Sequence, residues 1–313
     1  MALPALTALL EHHQRSIELV AVVTQPDRPA RRGSALTPPP TKELAQRAGI
    51  PVYQPESLRD SSFISLLSAL APDIRVVPSY AQLLPRTALR IPRTGWLNIH
   101  PSLLPRHRGP APVVGAILAG DTTTGVTIIR MVRAMDAGPI VDQIAIPVPP
   151  RASTRTLLAL LGTLGAQRLM TVLQPWTRGE ITAHPQDESL ATTTHLLTRE
   201  DGAIRWEEPA WLIERKIRAY DPWPRTFSWL NGRRIAILEA DVLDTARQAP
   251  PGTIVQLDIA RHPATLAVVC GEGGLAVTRL QAEGRMPLSA DQFASGWPRL
   301  VGSRFTGTPR EPG

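Results

Sequence analysis

Two side chains that can do chemistry stand two residues apart at the end of a short apolar segment, residues 96–99. Asn98 carries an amide that can donate two hydrogen bonds, and His100 carries an imidazole that can bind a proton. Because residues i and i+2 of a β-strand face the same side, a strand here directs both groups to one face. Pro101 then ends the strand, since proline has no backbone N–H to donate. The pattern predicts a polar site at a strand end.

A carboxylate follows in the same part of the chain. Asp136 lies in a turn ahead of Gly138, after a predicted strand at residues 125–131. An amide, an imidazole and a carboxylate at neighbouring strand ends can stabilise an oxyanion and transfer a proton. Ser102 lies beside prolines, not in the Gly-x-Ser-x-Gly turn of a nucleophile. The set indicates group transfer between two bound substrates without a covalent enzyme intermediate. Each residue alone is more often a cap or a buried polar group with its hydrogen bonds satisfied.

The elements that position these residues have an α/β pattern. Apolar segments of strand length alternate with helical patterns as far as a long helix at residues 154–176. The pattern is that of a Rossmann-like domain with a mostly parallel sheet. A helical pattern at residues 3–12 precedes the first strand, whereas such sheets ordinarily begin with a strand. We therefore expect the first strand to be missing, through a truncated chain or a misassigned start.

The last third of the chain has a different pattern. Five short β-prone segments follow residue 225, and Asn231-Gly232 between the first two is a strong hairpin signal. Short strands with Gly and Pro turns predict a small OB-like β-barrel, a type that binds oligonucleotides. The domains are predicted at residues 1–178 for the catalytic domain, 179–200 for a linker, and 201–313 for the C-terminal domain.

Composition limits the class of protein. The chain has 313 residues, 43% of them apolar and 19% charged, which is typical of a globular protein with a substantial core. No run approaches the roughly 18 consecutive apolar residues of a membrane span, so no membrane contact is expected. The single cysteine, Cys270, cannot form an internal disulfide, which predicts a reducing, cytoplasmic location. The histidines form no Cys/His ligand set, and no metal is expected.

The positive charge is concentrated around the candidate site. The formal net charge is +7. Between residues 75 and 133 there are eight arginines and a single acid, Asp121. Clustered cations around a candidate site suit a polyanionic substrate, because they attract phosphates over long range.

Several motifs occur in order across nearly the whole chain. They are Thr24-Gln-Pro-Asp-Arg-Pro29, Asn98-x-His100-x-Ser102-Leu-Leu-Pro105-Arg106, Arg108-Gly109, Gly120-Asp121, Gly125-Val-Thr127, Asp136-x-Gly138, Asp201-Gly202, Pro222-Trp-Pro224, Asn231-Gly232 and Pro251-Gly-Thr253. In this combination the sequence resembles the folate-dependent formyltransferases, and in particular those that act on initiator methionyl-tRNA.

The resemblance implies an activity and a set of site residues. The donor would be 10-formyltetrahydrofolate, and the acceptor the amino group of methionine on initiator tRNA, in translation initiation. The implied residues are Asn98, His100 and Asp136 for catalysis; Ser102, Leu103, Leu104 and Pro105 for the folate; and Arg28, Arg32, Arg106 and Arg108 for the tRNA. The protein would act as a monomer.

The resemblance also suggests a role for each of the three catalytic residues. Asn98 would donate a hydrogen bond to the oxyanion, and a protonated His100 would place a cation beside it. Asp136 would raise the pKa of His100 and keep it charged, or would accept the proton released by the amine.

Two other functions stay open at this stage. A formyltransferase that acts on an amino sugar nucleotide would share the Asn, His and Asp set, although the Arg-rich segment at residues 25–40 and the barrel-like second domain count against it. A non-catalytic tRNA-binding remnant would explain a missing first strand.

Overall fold

A computed structural model describes residues 1–29, 36–78, 84–92, 94–244, 248–257, 266–297 and 299–307. These residues form two compact units. The first comprises Met1–Pro112, Thr122–Pro147 and Leu158–Thr194, and the second comprises Val113–Asp121, Val148–Leu157 and the described part of His195–Gly313.

The helices are α1 Ala2–His12, α2 Pro40–Arg47, α3 Ser61–Ala69, α4 Arg86–Leu89, α5 Pro112–Ala119, α6 Thr154–Thr177, α7 Ala210–Ala219 and α8 Ala290–Ser295, with 3-10 turns at Glu188–Leu190 and Glu200–Gly202. The strands are β1 Val22–Val23, β2 Arg28–Pro29, β3 Leu36–Thr37, β4 Val52–Tyr53, β5 Arg75–Val77, β6 Trp96–His100, β7 Thr123–Arg130, β8 Ile140–Pro147, β9 Thr226–Leu230, β10 Arg233–Leu243, β11 Ile254–Gln256, β12 Leu266–Val269, β13 Gly274–Ala282 and β14 Leu288–Ser289.

In the first unit, β6 is an inner strand of a sheet with the order β5-β6-β7-β8. β5 pairs with β6 in parallel, and β7 and β8 continue the sheet antiparallel. Leu97 and Ile99 on β6 are almost completely buried. Since successive strand residues alternate between faces, Asn98 and His100 lie together on the other face. The predicted Rossmann-like α/β architecture is confirmed, with both parallel and antiparallel strand pairs.

β1 and β4 form a separate parallel pair, in which Val22 lies opposite Val52. Both valines pack with Leu6 of α1 and Ala45 of α2. Within the described ranges no strand joins this pair to β5. Where a single sheet was predicted, the described residues thus form two, the β1-β4 pair and the four-stranded sheet of β5 to β8.

The long helix α6 is apolar over much of its length. By length and composition alone it could cross a membrane. Its Leu161, Leu169, Val172 and Leu173 are nevertheless buried inside the protein. This is the pattern of a helix that covers a core.

The second unit is built on an antiparallel sheet of order β11-β12-β13-β10-β9, with β14 beside β13. Residues 303–306 bond to both of its edge strands. The N–H of Ile254 donates to the carbonyl of Ser303 at 2.9 Å, and the N–H of Trp229 donates to that of Thr306 at 2.9 Å. The edges are therefore satisfied by one segment, and the sheet curls around a core that includes Ile213 and Leu275. The predicted barrel-like domain is confirmed as this curled sheet.

The predicted hairpin joins β9 and β10. Asn231 has φ +48° and Gly232 has φ +74°. Two consecutive left-handed residues make the tight turn whose twist matches the flanking strands. Leu230 accordingly lies opposite Arg233.

Candidate functional site

Asn98, His100 and Asp136 converge in the first unit. The Asn98 amide Nδ2 donates to Asp136 Oδ1 at 3.2 Å. His100 Nδ1 lies 3.7 Å from Asp136 Oδ2. The His100 side chain is 5% exposed, and the Asp136 side chain is 15% exposed. The structure thus brings together an amide, an imidazole and a carboxylate from two separate segments of the chain.

The hydrogen bond of the second ring nitrogen, Nε2, determines the tautomer of His100. Nε2 lies 2.9 Å from the carbonyl oxygen of His107. Because a carbonyl only accepts hydrogen bonds, Nε2 carries the proton. In a neutral ring, Nδ1 then keeps its lone pair and faces Asp136. His107 itself is held in a left-handed conformation, φ +59°, and is buried.

Burial and the neighbouring groups shift the pKa of His100 in opposite directions. Burial lowers the pKa of His100 below its ordinary value, and the Asp136 carboxylate and the His107 carbonyl oppose this shift only in part. The expected effect of Asp136, which raises the pKa of the ring, is present, but desolvation of the cation exceeds it. The balance of these effects favours a neutral imidazole, whose lone pair is at Nδ1.

This lowered pKa predicts a pH-dependent loss of stability. Below the unfolded-state pKa of about 6.5, an unfolded chain protonates this histidine more readily than the folded chain does. The free energy of unfolding should therefore fall as the pH falls below this value, by up to about 1.4 kcal/mol per pH unit. The groups that act on the ring are Asp136 and His107.

The measurement is urea unfolding at pH 7.5 and pH 5.5 of the wild type and of His100→Asn. The variant should lose less stability between the two pH values. Equal losses in both proteins would contradict the buried neutral ring.

The loop after β6, which contains the predicted folate-binding residues, is fixed from the neighbouring strands. Thr127 Oγ1 donates to the carbonyl of Ser102 at 2.7 Å and accepts from the N–H of Leu104 at 3.1 Å. Gln143 Nε2 donates to the carbonyl of Leu104 at 2.9 Å. Ser102 and Leu104 are buried, whereas Leu103 and Pro105 are partly exposed. The partly exposed side chains among these four residues are thus apolar.

Gly138 lets the Asp136 turn close against the end of β7. A Cβ at this position would overlap the carbonyl oxygen of Arg130. The turn is also joined to β7 by a bond from the N–H of Arg130 to the carbonyl of Pro139 at 3.0 Å. Any side chain at position 138 must therefore displace the turn that carries Asp136.

We expect Gly138→Ala to destabilise the protein by about 1 to 3 kcal/mol and to reduce activity further by moving the carboxylate. Thermal unfolding and a formyl-transfer assay measure the two effects. Gly179→Ala is the control, because a Cβ there meets no atom within 4 Å, although its φ of +75° also disfavours alanine. Equal activity in the two variants would argue against a role for the turn.

The segment predicted as a linker is partly an ordered part of the first unit. Thr192 Oγ1 accepts from the N–H of His107 at 2.8 Å. The backbone of Arg108 bonds to Thr192 and Thr194, at 2.8 Å each. Residues of this polar segment show no helical or strand periodicity, so the sequence contained no signal that they border the site. Only the fold brings them there.

Arg108, which was predicted to contact tRNA, is paired with side chains of the first unit. Its side chain is 10% exposed. The guanidinium donates to both carboxylate oxygens of Glu188, at 2.8 Å each, and to Gln186 Oε1 at 2.7 and 3.0 Å. Bidentate pairing of this kind uses the donors that a phosphate would need. The placement favours a supporting role for Arg108.

The other predicted tRNA contacts are on the surface or outside the described residues. Arg106 is exposed on the loop that follows the folate segment, and Arg28 is exposed in β2. Beside it, Asp27 accepts hydrogen bonds from Lys42 and Gln54, at 2.7 Å each. Arg32 lies outside the described residues. In the part of the chain that the structure describes, no group of three His, Cys, Asp or Glu side chains could hold a metal ion.

Comparison with known families identifies the class of protein. The profile described as formyl transferase matches residues 2–173, and that described as formyl transferase, C-terminal domain, matches residues 196–298. The chain belongs to the formyl transferase family, in its methionyl-tRNA formyltransferase branch.

Relatives from several bacteria support this assignment. The chain is 48% identical over 278 residues to the methionyl-tRNA formyltransferase of Chloroflexus aggregans, covering 89% of each chain. It is 48% identical over 291 residues to that of Roseiflexus sp., covering 93% of this chain and 88% of the relative. It is 42% identical over 298 residues to that of Listeria innocua, covering 95% and 94%.

Solved structures share the fold at low sequence identity. An N-formyltransferase from Helicobacter canadensis, in complex with folinic acid and dTDP-3-aminofucose, has a TM-score of 0.61 at 14% identity, over 88% of this chain and 96% of that chain. HypX from Aquifex aeolicus, in complex with tetrahydrofolic acid, has a TM-score of 0.59 at 20% identity, over 83% and 44%. These similarities support the architecture described above.

Proposed function

We propose that this protein transfers the formyl group of 10-formyltetrahydrofolate to the amino group of methionyl initiator tRNA, for translation initiation. The observation that carries the proposal is the convergence of Asn98, His100 and Asp136, in a chain 48% identical to a methionyl-tRNA formyltransferase. The donor is a co-substrate that enters and leaves, and the reaction proceeds without a metal.

The site residues suit an attack of the amine on the formyl carbon. A bond forms between the amine nitrogen and that carbon, an oxyanion develops, and the bond to the folate nitrogen then breaks. Asn98 donates a hydrogen bond to the oxyanion. His100 Nδ1 accepts the proton that the amine releases and passes it to the departing folate nitrogen. Asp136, 3.7 Å away, stabilises the imidazolium formed between these two transfers.

The substrates are assigned to two parts of the first unit. The folate lies against the loop of Ser102, Leu103, Leu104 and Pro105, at the carboxyl end of β6, where open α/β sheets bind ligands. Arg28, Arg32 and Arg106 contact the phosphates of the tRNA, and removing one of them should weaken binding and its salt dependence. Arg108 supports the site from inside.

The remaining assignments concern organisation and location. We propose a catalytic domain at residues 1–178, a connecting segment at 179–200 and a tRNA-orienting domain at 201–313. The protein acts as a monomer in the cytoplasm, away from membranes, where charged initiator tRNA is used. The thiol of Cys270 is buried, and burial raises its pKa to about 12, so it is inert.

The decisive experiment compares acceptors. The purified protein is incubated with 10-formyltetrahydrofolate and either methionyl initiator tRNA or an amino sugar nucleotide, and the formylated product is measured. Product from the tRNA alone is expected. Product only from the sugar nucleotide would instead support the second candidate, and tRNA binding without any transfer would support a non-catalytic tRNA-binding protein.

A further inference from the structure

Gln186 uses its whole hydrogen-bonding capacity at the border of the site. Its Nε2 donates to the carbonyl oxygens of Asp136 and Gly138, at 2.7 Å each. Its Oε1 accepts from Nε and Nη2 of Arg108, at 3.0 and 2.7 Å. A carboxamide has two N–H donors and one oxygen with two lone pairs, so every position is used. One side chain therefore joins the Asp136 turn to the loop that contains Arg108.

The Asp136 turn requires such support. Asp136 has φ +51°, in the left-handed region that non-glycine residues rarely adopt. Its carboxylate accepts the N–H of Gly109 at 2.8 Å in addition to the Asn98 amide. The position of the carboxylate relative to His100 thus depends on the turn and on the loop of Gly109 together. Gln186 bonds the turn and, through the Arg108 side chain, the loop.

The same segment also holds the other partner of His100. His107, whose carbonyl accepts the ring N–H, donates its own N–H to Thr192 Oγ1 at 2.8 Å. Glu188 anchors Arg108 from the same segment. The groups on both sides of the imidazole, Asp136 and His107, therefore form hydrogen bonds with residues 186–194. This segment lies some 50 residues or more beyond Asp136 in sequence.

We propose that Gln186 is a positioning residue for formyl transfer, which holds the Asp136 carboxylate against His100 by bridging the Asp136 turn and Arg108. The proposal rests on the proposed function for its kinetic test. Gln186 contacts no reacting atom and acts through Asp136.

The first test uses two substitutions at this position. Gln186→Met keeps the volume and removes all four hydrogen bonds, whereas Gln186→Glu can still accept from Arg108 and cannot donate to the two carbonyls. Both should lower kcat by about 10- to 100-fold, because small displacements of catalytic groups have effects of this size, with the KM values for tRNA and folate little changed. Full activity of Gln186→Glu would show that only the hydrogen bonds to Arg108 matter. The proposal that Gln186 positions the Asp136 turn would then be wrong.

Asp187→Ala is the matched control. Asp187 lies in the same segment and caps it through Ser189, at 2.9 and 2.6 Å, within an exposed part of the surface. Its loss should leave kcat unchanged. If Asp187→Ala lowered kcat as strongly as Gln186→Met, a general loosening of the segment would explain the result and the specific role would be abandoned.

The second test asks whether Gln186 acts through Asp136. In an Asp136→Asn background, Gln186→Met should reduce kcat by less than threefold, since the group that it positions is already absent. If the two single effects multiply in the double variant, Gln186 acts independently and the proposal is wrong.

The third test does not require activity. NMR of the His100 ring reports its protonation, and its titration midpoint should move to lower pH in Gln186→Met, because a displaced carboxylate raises the pKa of the ring less. Asp187→Ala should leave the midpoint in place. A wild type that transfers no formyl group would overturn the proposed function while this measurement still tested the bridge. An unchanged midpoint in Gln186→Met would overturn the bridge alone.

Discussion

Replacing His100 by alanine is expected to lower kcat/KM for formyl transfer by about 10²- to 10⁴-fold. The ring is buried, its Nε2 is committed to the His107 carbonyl, and its Nδ1 is the nitrogen that faces Asp136. Alanine removes the proton acceptor and the imidazolium that forms beside the oxyanion. The loss should lie in kcat, because the ring does not contribute to the binding surfaces assigned to folate or tRNA.

His12→Ala is a suitable control for this prediction, since His12 is an exposed residue at the end of α1. Initial rates at saturating donor and varied tRNA concentration separate kcat from KM. Thermal unfolding of both variants shows whether the fold persists. A folded His100→Ala protein with kcat within threefold of the wild type would rule out a proton transfer through this ring.

Asp136→Asn is expected to lower kcat by about 10²- to 10⁴-fold, as removal of a carboxylate that supports a catalytic histidine does elsewhere. The carboxylate accepts from Asn98 and Gly109 and lies beside His100 Nδ1. Asparagine keeps the size but offers one accepting oxygen in place of two. It also removes the negative charge that raises the pKa of His100, so the ring should protonate at still lower pH.

Asp142→Asn provides the comparison. Asp142 is an acid on β8 in the same unit, and its carboxylate pairs with Arg168 rather than with the site. Single-turnover rates measure the chemical step, and NMR of the His100 ring measures the shift of its midpoint. Equal rates for the two variants, or an unmoved midpoint in Asp136→Asn, would contradict the role given to this carboxylate.

Much of the secondary structure could be predicted from local patterns. The helix at residues 154–176 and the strand at residues 96–99 are observed with bounds that differ by one residue, because apolar spacing dominates their formation. The Asn231-Gly232 hairpin is observed because its two residues accept positive φ. The apolar segment at residues 17–23 has the length of a strand, but only Val22–Val23 is one, because only these residues pair with β4. β14 and α8 were not predicted, although Ser289 and Gln292 form a capping box.

The candidate site was predicted in part. The spacing of Asn98 and His100 places them on one face whatever the rest of the fold, because the strand period is two. The proximity of Asp136, and the supporting contacts of Gln186 and Glu188, depend on pairings between residues far apart in sequence. Arg108 is an example. Its residue type suggested a phosphate contact, but its pairing with Glu188 could be seen only in the folded chain.

The amino-acid sequence by itself determined the α/β class of the first part, the small antiparallel domain of the second, the family, and which side chains are able to transfer a proton. These depend on residue type and on spacings of a few positions, which act locally. Only the tertiary structure decided that His100 is buried, that its Nδ1 faces Asp136, and that Gln186 joins the Asp136 turn to Arg108. Burial and long-range hydrogen bonds set those properties, and both exist only once distant segments have packed together.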